Sequence, residues 1–238
     1  MRGEIIAAFL VITIMLLSLS YVSALSEKNM KKIDFIHYAN PENKNSGNVK
    51  NKGCYDFITF AKLDGTLIDL KQHNLPVNYV INPSNSQGIP ENFVIDAIQS
   101  SADTWNNERK EELFNGYTLD YNISRPMVDG KNSIAFSDIF LDTSIIASAS
   151  LYTEIDSDNI IEFDIALNSK IQFGDASLNP YVIDIQSVIT HELGHGLGLN
   201  DIYDSKCSDV TMYVYGFFGE TQKRTLEKPD IKGLKKIY

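Results

Sequence analysis

The spacing of apolar and polar positions changes several times along the chain, which predicts a mixture of strands and helices. Apolar residues alternate with polar ones in residues 77–82 and 160–167, as in strands with one buried face. In residues 91–107, 182–197 and 230–238 they recur every three or four positions, as on one face of a helix. Further β-prone runs bounded by turn residues predict strands at residues 55–63, 66–70, 117–123, 133–139 and 149–152. This order of elements indicates an α+β fold.

The composition divides the 238 residues into three parts. Residues 1–24 hold an apolar run after Arg2 and end in Val22-Ser23-Ala24, which predicts a signal peptide. The same segment is also long enough to remain as an uncleaved membrane anchor. Residues 25–53 are rich in Lys, Asn, Glu and Ser, as in a linker or a short pro-segment, and residues 54–238 remain for the folded domain.

Charge and export restrict the partners of this domain. The formal net charge of −10 argues against nucleic acids and anionic membrane surfaces as partners. We expect a secreted, extracellular monomer that touches a membrane only if its N-terminal segment stays uncleaved. In such a compartment Asn122-Ile123-Ser124 is a glycosylation acceptor if the host glycosylates exported proteins.

The sequence His191-Glu192-Leu193-Gly194-His195 carries the clearest chemical signal in the chain. On a helix, His191 and His195 lie one turn apart on the same face, so both imidazoles can bind one metal ion. Glu192 lies beside the first ligand, where it can take a proton from a metal-bound water as a general base. The pattern therefore predicts metal-assisted hydrolysis.

The residues after this helix supply a candidate third ligand. Gly198 can adopt a positive φ, so the helix can end there and turn back to bring Asp201 to the metal. Asp204 and, less favourably, Asn200 are alternatives for this position. Three protein ligands leave a fourth position open for water, as in catalytic zinc sites.

The two cysteines, Cys54 and Cys207, are an even pair in an exported chain, which predicts a disulfide. An alternative is that a Cys54 thiolate occupies the open metal position in a latent form. That alternative leaves Cys207 unpaired.

With its motif and flanking segments, the chain resembles the metzincins, and among them the matrixins. The similarity extends over residues 75–238 and is carried by residues 75–79, 97–105, 164–168 and 230–238 besides the metal helix. It implies a metzincin-like catalytic domain at residues 54–238, with a twisted, mostly parallel sheet, an active-site helix, a Met-turn and a C-terminal helix. Residues 208–213 are similar to the Met-turn, which places Met212 beneath the metal.

The resemblance also bears on the tyrosines and on the metals. Tyr213 or Tyr215 can stabilise the oxyanion, as a tyrosine does in astacin-like relatives, or can simply pack along the cleft. Asp201 stands where most matrixins have His, as in snapalysin-like members. The remaining histidines, His37 and His73, are too few for the additional structural zinc of the family, so we expect one catalytic Zn²⁺. Structural Ca²⁺ is compatible with the acidic loop 156–164, although its spacing is not diagnostic.

These observations predict a secreted zinc-dependent endopeptidase that hydrolyses protein or peptide substrates. One alternative is an exported metal-binding surface protein with a retained but unused site. The presence of Glu192 disfavours it, because a site that only binds needs no base. A second alternative is a hydrolase of non-peptide amide or ester bonds, which uses the same chemistry.

Overall fold

The fold is described from a computed structural model, which covers residues 30–39 and 53–238. The predicted signal peptide or anchor, residues 1–24, lies outside these residues. Among the helices of the covered ranges, none combines the length and the apolar character needed to cross a membrane.

Eleven strands and three helices of two turns or more make up the described part of the chain. The strands are β1 (Met30–Ala39), β2 (Thr59–Ala61), β3 (Leu67–Asp69), β4 (Val77–Asn82), β5 (Phe114–Leu119), β6 (Asn132–Ser137), β7 (Ile145–Glu154), β8 (Ile160–Asn168), β9 (Phe173–Gly174), β10 (Ile183–Asp184) and β11 (Tyr215–Gly216). The helices are α1 (Glu91–Asn106), α2 (Ile185–Gly196) and α3 (Lys228–Ile237).

Seven of the strands form one mixed sheet in the order β11-β1-β7-β8-β6-β4-β5. Strands β8, β6, β4 and β5 pair in parallel, and β7 runs antiparallel to β8. Strand β1 lies between β7 and β11, antiparallel to the first and parallel to the second. Strands β2 and β3 form a separate antiparallel pair, and β9 and β10 a short parallel one.

Helices α1 and α2 pack on each other against the sheet. The apolar face of α1 buries Val94, Ile98 and Trp105, and the Trp105 indole donates a hydrogen bond to the Thr190 carbonyl at 2.8 Å. Helix α2 begins where the buried carboxylate of Asp184 accepts the N–H of Ser187 at 2.8 Å. These contacts hold α2 at the centre of the domain.

The predicted α+β class and the metzincin-like arrangement are confirmed. Three predicted helices are present, and the strand predicted at residues 149–152 extends over all of β7. Sequence analysis did not predict β1, which lies within the stretch interpreted as a linker or short pro-segment.

Candidate metal centre

The predicted metal-binding residues on α2 are buried inside the domain. His191, Glu192 and His195 are each at most 1% exposed. A buried imidazole or carboxylate needs a partner, because leaving such a group unpaired away from water costs free energy. The partners of each side chain therefore indicate what the site is built to hold.

Both histidines are oriented by backbone carbonyl groups. The Nδ1 atom of His191 lies 2.8 Å from the Thr211 carbonyl oxygen, and that of His195 lies 2.8 Å from the Leu199 carbonyl oxygen. A carbonyl oxygen only accepts, so in each ring Nδ1 carries the proton and Nε2 presents a lone pair. This is the arrangement that outer hydrogen bonds impose on metal-binding histidines.

The end of α2 brings the chain back towards these two rings. Leu199 donates its N–H to the Gly194 carbonyl at 3.0 Å, and Gly198 donates to the His195 carbonyl at 2.8 Å. These two hydrogen bonds form a Schellman motif, which requires a residue in the left-handed conformation. Gly198 supplies it, with a φ of +99°. A Cβ atom at Gly198 would also clash with the carbonyl oxygen of Leu70.

The turn places Asp201 opposite the two imidazoles. Its Oδ1 atom lies 3.3 Å from Nε2 of His191 and 3.5 Å from Nε2 of His195. Ligand atoms at about 2.0–2.2 Å from a tetrahedral zinc ion lie roughly 3.3–3.6 Å apart, so these separations suit one ion.

The hydrogen bonding of the same atoms agrees with a metal centre. Among the described residues, His191 Nε2 and Asp201 Oδ1 are buried without a hydrogen-bond partner. Burial lowers the pKa of His191 to about 4, which keeps its imidazole neutral, the form that binds metals. The donor set of two imidazoles and one carboxylate fits zinc.

Glu192 lies beside this ligand set without belonging to it. Both of its carboxylate oxygens are buried and lack hydrogen-bond partners within the described chain. Burial raises the pKa of Glu192 to about 8, because the surroundings disfavour its charged form. A carboxyl group in such surroundings is suited to accept a proton.

Met212 lies under the helix, as the Met-turn resemblance implies. It is buried, and a Cβ atom added at Gly194 would clash with its sulfur and approach the Trp105 ring to 2.9 Å. Because residue 194 is glycine, α2 can pack directly against Met212. The turn is fixed by the buried carboxylate of Asp230, which accepts the N–H of Thr211 at 2.9 Å and of Met212 at 3.2 Å.

The two tyrosines predicted as oxyanion or cleft residues follow Met212 in the chain. Tyr213 and Tyr215 are buried, with ring centroids 5.5 Å apart, and their carbonyl oxygens accept hydrogen bonds from Lys223. The Tyr203 hydroxyl lies near the ligands, 3.5 Å from Oδ2 of Asp201. Sequence analysis missed Tyr203, although its position two residues after Asp201 was an available signal.

The two alternatives for the third ligand, Asp204 and Asn200, make hydrogen bonds away from the imidazoles. Asp204 is exposed and accepts the N–H of Lys206 at 3.0 Å, which begins a one-turn 3₁₀ helix. The Asn200 side chain donates a hydrogen bond to Asp56 at 3.3 Å and accepts the N–H of Asp201 at 2.9 Å. Neither side chain faces the imidazoles.

The other clusters of potential metal ligands in the described chain lie at the same site. Within residues 30–39 and 53–238, two groups of three His, Cys, Asp or Glu residues lie close enough to share an ion, and both are at this site. They are His191 with His195 and Asp201, and His37 with His191 and Glu192. His73 pairs with Asp158 at 3.0 Å on the surface.

Cys54 and Cys207 form a disulfide that joins the first residues of the folded domain to the segment after Asp201. Both sulfurs are used in this bond, so Cys54 is not available as a thiolate ligand. The link fastens the chain on either side of the metal centre.

Besides Tyr203, two further residues at the site were not predicted. His37 of β1 lies with Nδ1 3.3 Å from Oε1 of Glu192, and its ring centroid is 4.1 Å from that of His191. Lys223 is buried with Nζ 3.4 Å from Nε2 of His37. A single histidine and a single lysine far from the motif carry no pattern, so only the fold reveals them.

The chain matches a known protein family. The family model described as matrixin matches residues 71–238, which include α1, the metal helix, the Met-turn and α3 but not β1. No curated protein matches the chain.

Proposed function

The chain belongs to the matrixin family, and from this premise we propose that it is an exported zinc-dependent endopeptidase with Glu192 as its general base. Membership in the family makes it a metalloprotease that uses zinc and acts on proteins or peptides. Export, the role of Glu192 and a single zinc ion are our inferences for this chain.

The observation that carries the proposal is a buried group of metal-binding atoms, two of which, His191 Nε2 and Asp201 Oδ1, have no hydrogen-bond partner among the described residues. His191, His195 and Asp201 converge with separations suited to one ion, and Glu192 is adjacent. When bound, zinc lowers the pKa of a water molecule towards neutrality and polarises the scissile carbonyl group.

The residues of the chain then perform the remaining steps. The carbonyl groups of Thr211 and Leu199 keep the imidazole lone pairs directed inward. Glu192 removes the proton of the attacking water and passes it to the leaving amine. Tyr203 is the hydroxyl placed to donate towards the ligand set.

Export is supported by the sequence and by the disulfide. Residues 1–24 have the composition of a signal peptide, and the Cys54–Cys207 bond is typical of an oxidising compartment. We infer that the domain acts outside the cytoplasm.

One observation favours the second candidate, an exported metal-binding surface protein with an unused site. All four polar side chains of the centre are at most 3% exposed, so no substrate can reach them in this conformation. The presence of a base that such a protein does not need argues for the peptidase.

The test is cleavage of unfolded casein by residues 25–238, with and without a chelator, alongside Glu192→Gln. Each protein is assayed for zinc, and Glu154→Gln, an exposed carboxylate in β7, is the matched control. We expect about one zinc in every form, with cleavage lost on chelation and lowered ~10²–10⁴-fold in Glu192→Gln alone. Absence of stoichiometric zinc would refute the assigned ligand set.

A further inference from the structure

A pocket beside α2 lies next to the proposed base. In this structure the imidazole of His37 fills the pocket, and a cavity of about 10 Å³ remains beside it. Nδ1 of this imidazole lies 3.3 Å from Oε1 of Glu192, and its Nε2 lies 3.4 Å from Nζ of Lys223. The pocket therefore extends from Glu192 to Lys223 over the width of one ring. The start of α2 and the segment after the Met-turn form its walls.

Lys223 is a fixed hydrogen-bond donor at the inner end of the pocket. Its side chain is buried, and its ammonium group donates to the carbonyl oxygens of Tyr213 at 2.5 Å and Tyr215 at 2.7 Å. An ammonium group has three donors and no acceptor, so one donor is left for the group that fills the pocket. Here that group is Nε2 of His37. A buried donor costs free energy when unpaired, so the inner end of the pocket requires an acceptor.

The wall of the pocket adds a second polar group. Ser187 lines the pocket, and its buried hydroxyl oxygen has no hydrogen-bond partner among the described residues. The two carboxyl groups of the wall are held by protein donors. Asp184 accepts a hydrogen bond from Arg224 at 2.9 Å, and Glu220 accepts the N–H of Phe217 at 3.0 Å. The hydroxyl of Ser187 is thus free to pair with a polar group that enters the pocket.

The shape of the pocket limits the side chains that can fill it. A Cβ atom at Gly216 would lie 2.9 Å from Nε2 of His37, so glycine there leaves room for a group that reaches Lys223. Val188 and Phe217 give the walls an apolar part. Apolar walls with a donor at the inner end suit a side chain with an apolar stem and a terminal acceptor, such as Gln, Glu or His.

The position of the pocket indicates which residue of a substrate would enter it. In the proposed mechanism Glu192 passes a proton to the leaving amine. This nitrogen belongs to the residue that follows the scissile bond, so the side chain of that residue starts close to Glu192. From there the pocket leads to Lys223.

We propose that Lys223 and Ser187 form a specificity subsite, which selects substrates whose residue after the scissile bond ends in a hydrogen-bond acceptor. The inference rests on the proposed function, because it assigns the pocket to a peptide substrate. A Leu side chain in the pocket would leave the buried donor of Lys223 unpaired. Sites with buried polar groups reject ligands that cannot pair with them.

The first test measures binding without turnover in residues 25–238 carrying His37→Ala, which empties the pocket. The probes are short peptides with an N-terminal zinc-binding hydroxamate group, and they differ only in the residue next to it, Gln, Glu or Leu. Calorimetry with the zinc-loaded protein gives their dissociation constants. We expect the Gln and Glu probes to bind at least ~10-fold more tightly than the Leu probe. Equal affinities would overturn the proposal.

Substitutions in the same His37→Ala chain assign the preference to its residues. Lys223→Met keeps the length of the side chain and removes the donor, so the Leu probe should then bind at least as tightly as the Gln probe. Lys206→Met, at an exposed lysine in the one-turn 3₁₀ helix, is the matched control and should leave the preference unchanged. A preference that survives in Lys223→Met would overturn the role of the lysine.

Ser187→Ala provides a second variant that does not depend on how the domain tolerates loss of Lys223. Its hydroxyl has no hydrogen-bond partner in the described chain, so the fold should be kept, as cooperative thermal unfolding with zinc bound will show. We expect the preference for Gln over Leu to fall by ~3–10-fold. An unchanged preference would remove Ser187 from the subsite.

Cleavage of unfolded casein by His37→Ala separates the possible failures. Mass spectrometry of the products locates the cut bonds, and we expect Gln, Glu and His to be enriched directly after them. Cleavage without this enrichment would overturn the specificity and leave the peptidase. Probe preference without cleavage in any zinc-loaded form would overturn the proposed function, and the assignment of the pocket to substrates with it.

Discussion

The carboxylate of Asp230, at the start of α3, accepts the backbone N–H of Met212 at 3.2 Å. This contact joins the C-terminal helix to the floor of the metal centre across 18 residues of chain. The same carboxylate accepts the N–H of Thr211, whose carbonyl orients His191. One buried side chain therefore supports both the Met-turn and a metal ligand.

We expect Asp230→Ala to destabilise the domain. The substitution leaves the N–H groups of Thr211, Met212 and Glu227 without their acceptor, and each such loss costs ~1–3 kcal/mol when buried. The free energy of unfolding should fall by about 3 kcal/mol or more, as measured by urea denaturation. Asp209→Ala, at an exposed carboxylate in the same turn, should change it by less than ~0.5 kcal/mol. Equal effects of the two substitutions would show that Asp230 does not hold the turn.

Removal of Asp201, the proposed third ligand, should lower the affinity for zinc. Asp201→Ala deletes a direct ligand atom, so the affinity should fall by more than the ~10–100-fold that loss of an outer-shell partner costs. Competition with a chromogenic chelator measures this change. Asp204→Ala removes the nearby carboxylate that faces away and should leave zinc binding intact. A larger effect at Asp204 would reassign the ligand.

The glycine that ends α2 should tolerate no side chain. Gly198→Ala forces a non-glycine residue to a φ of +99° and places its Cβ against the carbonyl oxygen of Leu70. Gly88→Ala is the matched control, because Gly88 has a φ of +72° and open space around it. We expect Gly88→Ala to cost about 1 kcal/mol of unfolding free energy and Gly198→Ala at least ~2 kcal/mol more. Thermal denaturation with zinc bound compares them.

With His37 replaced by alanine, the pocket beside Lys223 predicts a side-chain preference for substrates. Lys223 uses two donors on the carbonyl groups of Tyr213 and Tyr215, which leaves the third directed to the pocket. Substrates that place an acceptor such as Glu, Gln or His there should be cleaved faster than those placing Leu. In Lys223→Met this order should reverse, and a peptide library cut by the His37→Ala enzyme, with and without Lys223→Met, shows the order.

The same lysine gives the preference a pH dependence. Burial lowers the pKa of Lys223 to about 8, although Glu220 and other carboxylates oppose the shift. Below that pH the ammonium carries its charge, and above it the charge is lost. The ratio of kcat/KM for substrates with Glu to that for substrates with Leu should therefore fall as the pH rises through about 8. A ratio that stays constant between pH 7 and 9 would show that Lys223 does not set the preference.

Most of the fold, and the group of side chains that could hold a metal ion, could be predicted because their signals are local. The metal helix is specified by a four-residue spacing, a glycine and an acidic residue, all within residues 191–201. Strand β4 and helix α1 follow from alternation and from helical periodicity in single segments. Each of these signals depends only on residues within one short segment of the chain.

Strand β1 could not be predicted in this way. Lys32, Asp34 and His37 interrupt its apolar pattern, and its hydrogen-bonding partners in β7 lie more than a hundred positions along the chain. The burial of Lys223 depends likewise on two carbonyl groups that only the folded turn brings together. The strand conformation of β1 and the burial of Lys223 depend on long-range contacts rather than on local composition.

The pairing of β1 with β7 has a consequence for the edge of the sheet. Strand β1 stands between β7 and β11, so without residues 30–39 the backbone N–H and C=O groups of β7 that face β1 would have no partner in the sheet. An unpaired strand edge of this kind is a template on which another extended chain can pair.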